Sequence, residues 1–172
     1  AAGEQFVYHD ANDGGANHLF RNTQTDEKLW LFEDVTDASG MNANNRRYSF
    51  AASWEDYDND RDLDLYVAND FGRDNLYRND NGRFTDVAKD AGAEDSGSGM
   101  AITWGDYDRD GWMDAYVSNM FSAAGRRVTA QSEFMPTAPQ RVRKRLTRFA
   151  RGNSLLKNDG RGSFVGRASG EG

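Results

Sequence analysis

The sequence contains no cysteine, two prolines and two histidines in 172 residues. Without cysteine there is no disulfide framework, thiolate zinc site, c-type haem attachment or sulfur nucleophile. Secretion is still open to it, because secreted chains need not carry disulfides. No apolar run approaches the ~18 residues that span a bilayer as a helix. The opening residues, AAGEQFVYHD, have neither the basic nor the apolar stretch of a secretory leader, as a mature secreted chain would not. Alternation of Ala, Leu, Glu and Lys at helical spacing is scarce. His9 and His18 sit in no metal or triad pattern, and Ser49, Ser98 and Ser154 lack a nucleophile-elbow context. No phosphate-binding or dinucleotide fingerprint occurs. The expectation is a protein that is not an enzyme.

What the sequence has is glycine (18), aromatics (12%) and aspartate. Asp and Asn beside Gly indicate many tight turns between short strands, hence an all-β chain. The stretch WEDYDNDRDLDLYVAND, residues 54–70, holds six Asp and one Glu among Trp54, Tyr57, Leu65, Tyr66 and Val67. An acidic disordered tail would lack those apolar residues. Fifty residues later the pattern returns as WGDYDRDGWMDAYVSNM. Trp54 falls on Trp104, Asp56-Tyr57-Asp58 on Asp106-Tyr107-Asp108, Asp60 on Asp110, Asp64 on Asp114 and Tyr66-Val67 on Tyr116-Val117.

A second element occurs three times, as NHLFRN (17–22), DNLYRN (74–79) and NSLLKN (153–158). Each precedes a further strand pattern, and the turns NDNG (79–82) and NDGRG (158–162) are hairpin signals. One unit therefore reads as four strands: one into the Asp loop, one out of it, then a hairpin. Leu63, Leu65 and Val67 should share one face, with Tyr66 on the other. Four-stranded units recurring every 40 to 50 residues predict blades of a β-propeller. Residues 1–45 read as a partial blade lacking its first strand and Asp loop, 46–97 as a complete blade, and 98–172 as a blade interrupted at 120–152. That makes about two and three-quarters antiparallel blades of a larger ring.

In Asp56-x-Asp58-x-Asp60-x-Asp62-x-Asp64, and in Asp106-x-Asp108-x-Asp110-Gly-Trp112-x-Asp114, oxygens recur at loop positions 1, 3, 5, 7 and 9. Ca²⁺ takes six to eight oxygen ligands, and a loop that curls every second residue inward supplies them. Positions 1, 3, 5 and 9 would give carboxylates, and position 7 (Asp62, Trp112) its backbone carbonyl. Mg²⁺, which demands a tighter octahedron, ranks second. The loops are not EF-hands: position 12 is Val67 or Val117 where a bidentate Glu belongs. Leu63 and Met113, at position 8, are expected to anchor the loops in the core. Position 6 is Gly111 in one loop and Arg61 in the other, and a left-handed turn there disfavours Arg by roughly 1 kcal/mol. Two Ca²⁺ sites follow, with 106–114 expected to bind more tightly than 56–64. DANDGG (10–15) lacks the later Asp and reads as a turn.

These residues resemble the FG-GAP/VCBS repeat family, the calcium-loop blades also found in integrin α-subunit propellers. Within it they look most like bacterial secreted proteins of the ASPIC/UnbV type, to which the insertion SNMFSAAGRR…RFARGNSLL is also similar. The resemblance implies a β-propeller, usually seven-bladed, with Ca²⁺ between the first two strands of a blade. It implies Asp56, Asp58, Asp60, Asp64, Asp106, Asp108, Asp110 and Asp114 as side-chain ligands. Arg61 departs from the family's Gly.

The net charge of −7 hides an asymmetry: residues 126–151 carry eight basic residues and Glu133, a local +7, so the remainder carries −14. Residues 139–150 should form a short basic helix, with Val142, Leu146 and Phe149 on one side. With little aromatic interleaving, nucleic acid is not the favoured partner. A basic arm solvated or paired with the acidic remainder is preferred to an anionic-glycan contact. Trp30 and Trp112 are expected in core or blade-interface packing. The function expected is a calcium-stabilised extracellular or cell-surface module for interaction, adhesion or scaffolding, its partner a protein or glycan. Alternatives are a self-assembling subunit that completes its blades with a neighbour's strands, and a carbohydrate-binding propeller or scaffold of a polysaccharide-active enzyme.

Overall fold

The computed structural model describes residues 11–24 and 29–168. Where apolar residues alternate and Asn-Gly or Asp-Gly turns intervene, the chain forms antiparallel strands. The first are β1 (Phe20–Asn22) and β2 (Phe32–Asp34), a two-stranded sheet, followed by the single turn of helix α1 (Thr36–Ser39). Next come β3 (Ser49–Glu55), β4 (Asp64–Asn69), β5 (Asn75–Asp80) and β6 (Arg83–Asp86), one sheet in that order. The second four-stranded sheet comprises β7 (Gly99–Gly105), β8 (Asp114–Asn119), β9 (Ser154–Asn158) and β10 (Phe164–Ala168). Both are simple meanders, which is the blade topology the repeat predicts. A register irregularity falls between Ser49 and Ala51 in one and between Gly99 and Ala101 in the other, so the repeat extends to backbone defects.

The sheets pack face to face through residues the strand alternation selects. Tyr66 and Ala68 of β4 point at the second blade, where Ala115, Val117, Leu156 and Phe164 meet them. Trp104 stands edge-on to Tyr66, with ring centroids 6.1 Å apart. On the opposite face of the first blade, Leu65 and Val67 join Met41, Tyr77 and Phe84. Inner strand β7 packs against β3 and β4, and closely at Gly99: a Cβ there would come 3.0 Å from Ala68 Cβ and 3.1 Å from the Asn69 backbone, so the strands would have to give slightly. After β6 the chain turns through Ala88, Ala91 and Ala93, all buried, and the Ala91 carbonyl accepts a 2.6 Å bond from the Phe164 N–H.

Two expectations about packing are corrected. Leu63 is 55% exposed and no core anchor, because it lies on the loop side of β4, which starts at Asp64. The residue that seats the first loop is Tyr57 at position 2, which is 1% exposed and packs on Phe164. Trp30 is 75% exposed and, among the described residues, stacks on Phe32. The two strands β1 and β2 make a ribbon too narrow to cover it.

The insertion leaves the second blade between β8 and β9, closed at its base by a bridge between Phe121 and Arg151. It contains two helices where one was expected: α2 (Ala123–Thr129), whose first turn Ser122 caps by accepting from the Gly125 N–H, and α3 (Gln140–Phe149). Arg148 fastens α3 to the blade through a 2.8 Å ion pair with the buried Asp95. No helix among the described residues is long and apolar enough to cross a membrane.

Candidate metal centres

Each Asp loop joins the first two strands of a blade, and the two loops are built alike. The position-1 carboxylate organises the turn: Asp56 accepts 3.0 Å bonds from the Asp60 and Arg61 N–H groups, as Asp106 does from Asp110 and Gly111. The position-5 carboxylate accepts from the position-7 N–H, Asp60 from Asp62 at 2.8 Å and Asp110 from Trp112 at 3.0 Å. Position 9 is pinned from both sides. Asp64 accepts from the Tyr57 and Asn79 N–H groups, and Asp114 from those of Tyr107 and Asn158. Two residues per loop are left-handed, Asn59 (φ 59°) and Arg61 (φ 78°) in the first, Arg109 (φ 64°) and Gly111 (φ 88°) in the second. The expected left-handed position 6 is thus present, with Arg61 strained where Gly111 is at ease. Position 4 is left-handed as well, which spacing alone did not indicate.

These turns bring carboxylates together. One oxygen each from Asp56, Asp58 and Asp64 lies within 4.8 Å of the others, and the same holds for Asp106, Asp108 and Asp114. Two ligands of one Ca²⁺, each about 2.4 Å from it, can be at most about 4.8 Å apart. Burial pushes the Asp64 carboxyl up to about 7, and the Asp58 and Asp60 charges add to this. Burial also raises Asp58, with the Asp60 charge contributing. Asp58 Oδ1 is buried with no hydrogen-bond partner among the described residues. An orphaned buried oxygen beside like charges fits a hard divalent cation, which would satisfy the oxygen and lower both carboxyls.

Of the other expected ligands, positions 5 and 7 differ in kind: the former would give a carboxylate, the latter only its backbone carbonyl, so its side chain is free to lie elsewhere. Asp60 and Asp110 lie outside the three-carboxylate groups. The Asp62 side chain turns outward to accept from the Asn81 N–H at 2.7 Å. The Trp112 ring lies over the 158–162 turn, where a Cβ on Gly160 would come 2.8 Å from its Nε1.

The two centres differ in their cationic neighbour. Lys157 of β9 donates from Nζ to Asp108 and lies 3.3 Å from Asp110 Oδ2. The equivalent Arg78 turns to Asp80 instead, at 3.0 Å. The turns explain this. In the second blade Asp159, the counterpart of Asp80, is occupied capping the longer turn, accepting from the Arg161 and Ser163 N–H groups. Lys157 then has no local carboxylate and reaches the loop. Bonds to Asp108 and Asp110 raise its pKa, while the Trp112 N–H, more than Lys157, lowers that of Asp110.

Sequence reasoning missed the last Asn of the hairpin motif as part of the centre. Asn79 Nδ2 donates to the Leu63 carbonyl, and Asn158 Nδ2 to those of Met113 and Tyr57, the latter across the blade boundary. The threefold recurrence of Asn at that place (22, 79, 158) was the available signal. A buried network at the other end of β4 was also missed. Asp74 accepts from the Asn69 N–H at 2.8 Å and lies 3.1 Å from the Tyr66 hydroxyl oxygen, which is 2.9 Å from the Ala93 carbonyl oxygen and has one hydrogen for the two. His18, the one described histidine, is exposed and bonded to Asp34. His9 lies outside the described residues.

Residues 56–117, from the first Asp loop to β8, match the family model of an FG-GAP-like repeat. No curated protein matches the chain.

Proposed function

We propose, from the premise that residues 56–117 are an FG-GAP-like repeat, that this chain is a calcium-binding β-propeller segment serving as an extracellular interaction, adhesion or scaffold module. The role is non-catalytic and the calcium structural: each ion ties the two inner strands of a blade at their loop. The observation that carries the reading is the Asp56–Asp58–Asp64 cluster with the orphaned Asp58 oxygen, repeated in composition by Asp106, Asp108 and Asp114. Extracellular modules of this kind bind at about 10⁻⁴ to 10⁻³ M, so they are loaded only outside the cytosol. Calorimetric titration tests the reading. Two sites per chain in that affinity range support it, and their loss in an Asp58→Asn, Asp108→Asn double variant places them in the loops. An absence of heat with a folded protein would refute it.

A second reading, self-association, is favoured by one surface. Phe20, Trp30, Phe32 and Phe50 are each more than half exposed around the two-stranded sheet and β3. Scattered exposed apolar residues are ordinary, but a cluster marks a contact face. Sedimentation that stays monomeric at high concentration would dismiss it.

A further inference from the structure

The insertion carries a charged surface that the calcium reading leaves unused. Helices α2 and α3 diverge from a close approach at Gly125 and Ala150, where a Cβ on Gly125 would come 3.1 Å from that of Ala150. Between them run two adjoining pockets, of about 440 and 550 Å³, which share Thr129, Thr147 and Arg151 and so make one elongated groove. Arg126 and Arg127 line it from α2, Arg143, Lys144 and Arg148 from α3, and Arg151 from its base; no carboxylate lines either pocket. Of these six, only Arg148 has an ion pair among the described residues, and that pair holds α3 to Asp95. Among the described residues one ion pair therefore ties the arm to the acidic body, and the other five cations line the groove.

We propose that this groove binds an acidic polysaccharide, a sulfated or uronate-bearing chain. Its length suits a polymer better than a single small anion. Planar guanidinium groups match sulfate and carboxylate oxygens in pairs. Between the cations the lining is Ala123, Thr129, Ala130, Gln140 and Thr147, whose small, hydroxyl and amide groups suit sugar hydroxyls. Single-stranded nucleic acid needs open aromatic faces for its bases. The groove's one aromatic, Phe121, has the Arg126 guanidinium 5.8 Å above its ring. An anionic membrane would need a free apolar helix face, but Val142, Leu146 and Phe149 of α3 are all partly covered. The inference stands apart from the metal loops and does not depend on their occupancy.

Fluorescence anisotropy with a labelled heparin oligosaccharide tests it on the whole chain. Arg127→Gln, Arg143→Gln, Lys144→Gln in combination is compared with Arg83→Gln, Lys89→Gln, Arg161→Gln, which removes the same charge from the blades. The expected result is salt-sensitive binding, weakened about tenfold or more by the groove triple and nearly unchanged by the blade triple. Thermal melts should show both triples folded. Absence of binding at low salt, equal weakening by the two triples, or tighter binding of a single-stranded oligonucleotide or polyglutamate of equal charge would overturn the proposal.

Discussion

Lys157 and Arg78 hold equivalent places in the two hairpins, yet of the two only Lys157 pairs with an Asp loop. An ammonium on Asp108 and Asp110 must yield to an incoming cation and then remains beside it as a like charge. The backbone favours the second loop, through Gly111 over Arg61, and the side chains oppose it. Replacing Lys157 by Gln should therefore tighten calcium binding at the 106–114 loop by about two- to fivefold, the worth of a partly exposed ion pair, as read by titration against the unaltered first loop. Unchanged affinity would mean that the lysine swings clear at no cost. Asp74 offers a test free of metal. Burial, then the Asp95 charge, raises its carboxyl well above the ordinary value. The Tyr66 hydroxyl has one hydrogen for two acceptors, so a protonated Asp74 completes the network by donating to it. A folded-state value above the unfolded one means stability is full below about pH 4 and falls as pH rises toward the folded value. The difference in melting temperature between wild type and Asp74→Asn should accordingly move against the wild type as pH rises above 4. A constant difference would show that Asp74 is not protonated in the fold.

At the scale of elements, each Asp loop is coupled to its neighbouring blade through its second residue. Tyr57 is buried against Phe164, and its carbonyl accepts from Asn158 Nδ2 at 2.8 Å. Its counterpart Tyr107 is 48% exposed, with no described blade beyond it to cover it. Truncating Tyr57 to Ala should cost about 3 kcal/mol, as emptying a large aromatic site does, while Tyr107→Ala should cost well under 1 kcal/mol; denaturant titration of each variant measures the difference. Equal costs would mean that the blade boundary is not where the loop is held. The strands, their order and the blade repeat were legible because alternation, Asn-Gly turns and the fifty-residue offset all act locally. The placement of Leu63 and Trp30 was not, because it depends on which neighbour covers a given face. Helix α2 was missed because its apolar residues do not repeat at helical spacing, and its one local signal is the Ser122 cap. Within the centres, oxygen spacing gave the carboxylates at positions 1, 3 and 9. Lys157 and the closing Asn79 and Asn158 come from another hairpin, and no local pattern brings them to the loop.

For the molecule as a whole, the two blades share a core through aromatic contacts, the strands of the two-stranded sheet stay exposed, and acidic loops and a basic arm lie apart on the surface. Carboxylates gathered in the folded state and dispersed in the unfolded one repel only when folded, so a cation that binds the fold alone stabilises it by mass action. On the proposed function, at millimolar calcium and the affinity of extracellular modules, each site would contribute on the order of 1 kcal/mol. For a chain of this size that is roughly 2–4 °C per site in melting temperature. The most direct measurement is a thermal melt in millimolar calcium against excess chelator, with the Asp58→Asn, Asp108→Asn double variant beside the wild type. The account predicts a calcium-dependent rise of a few degrees in the wild type that the double variant loses. A wild-type transition indifferent to calcium, or a rise that survives in the double variant, would contradict it.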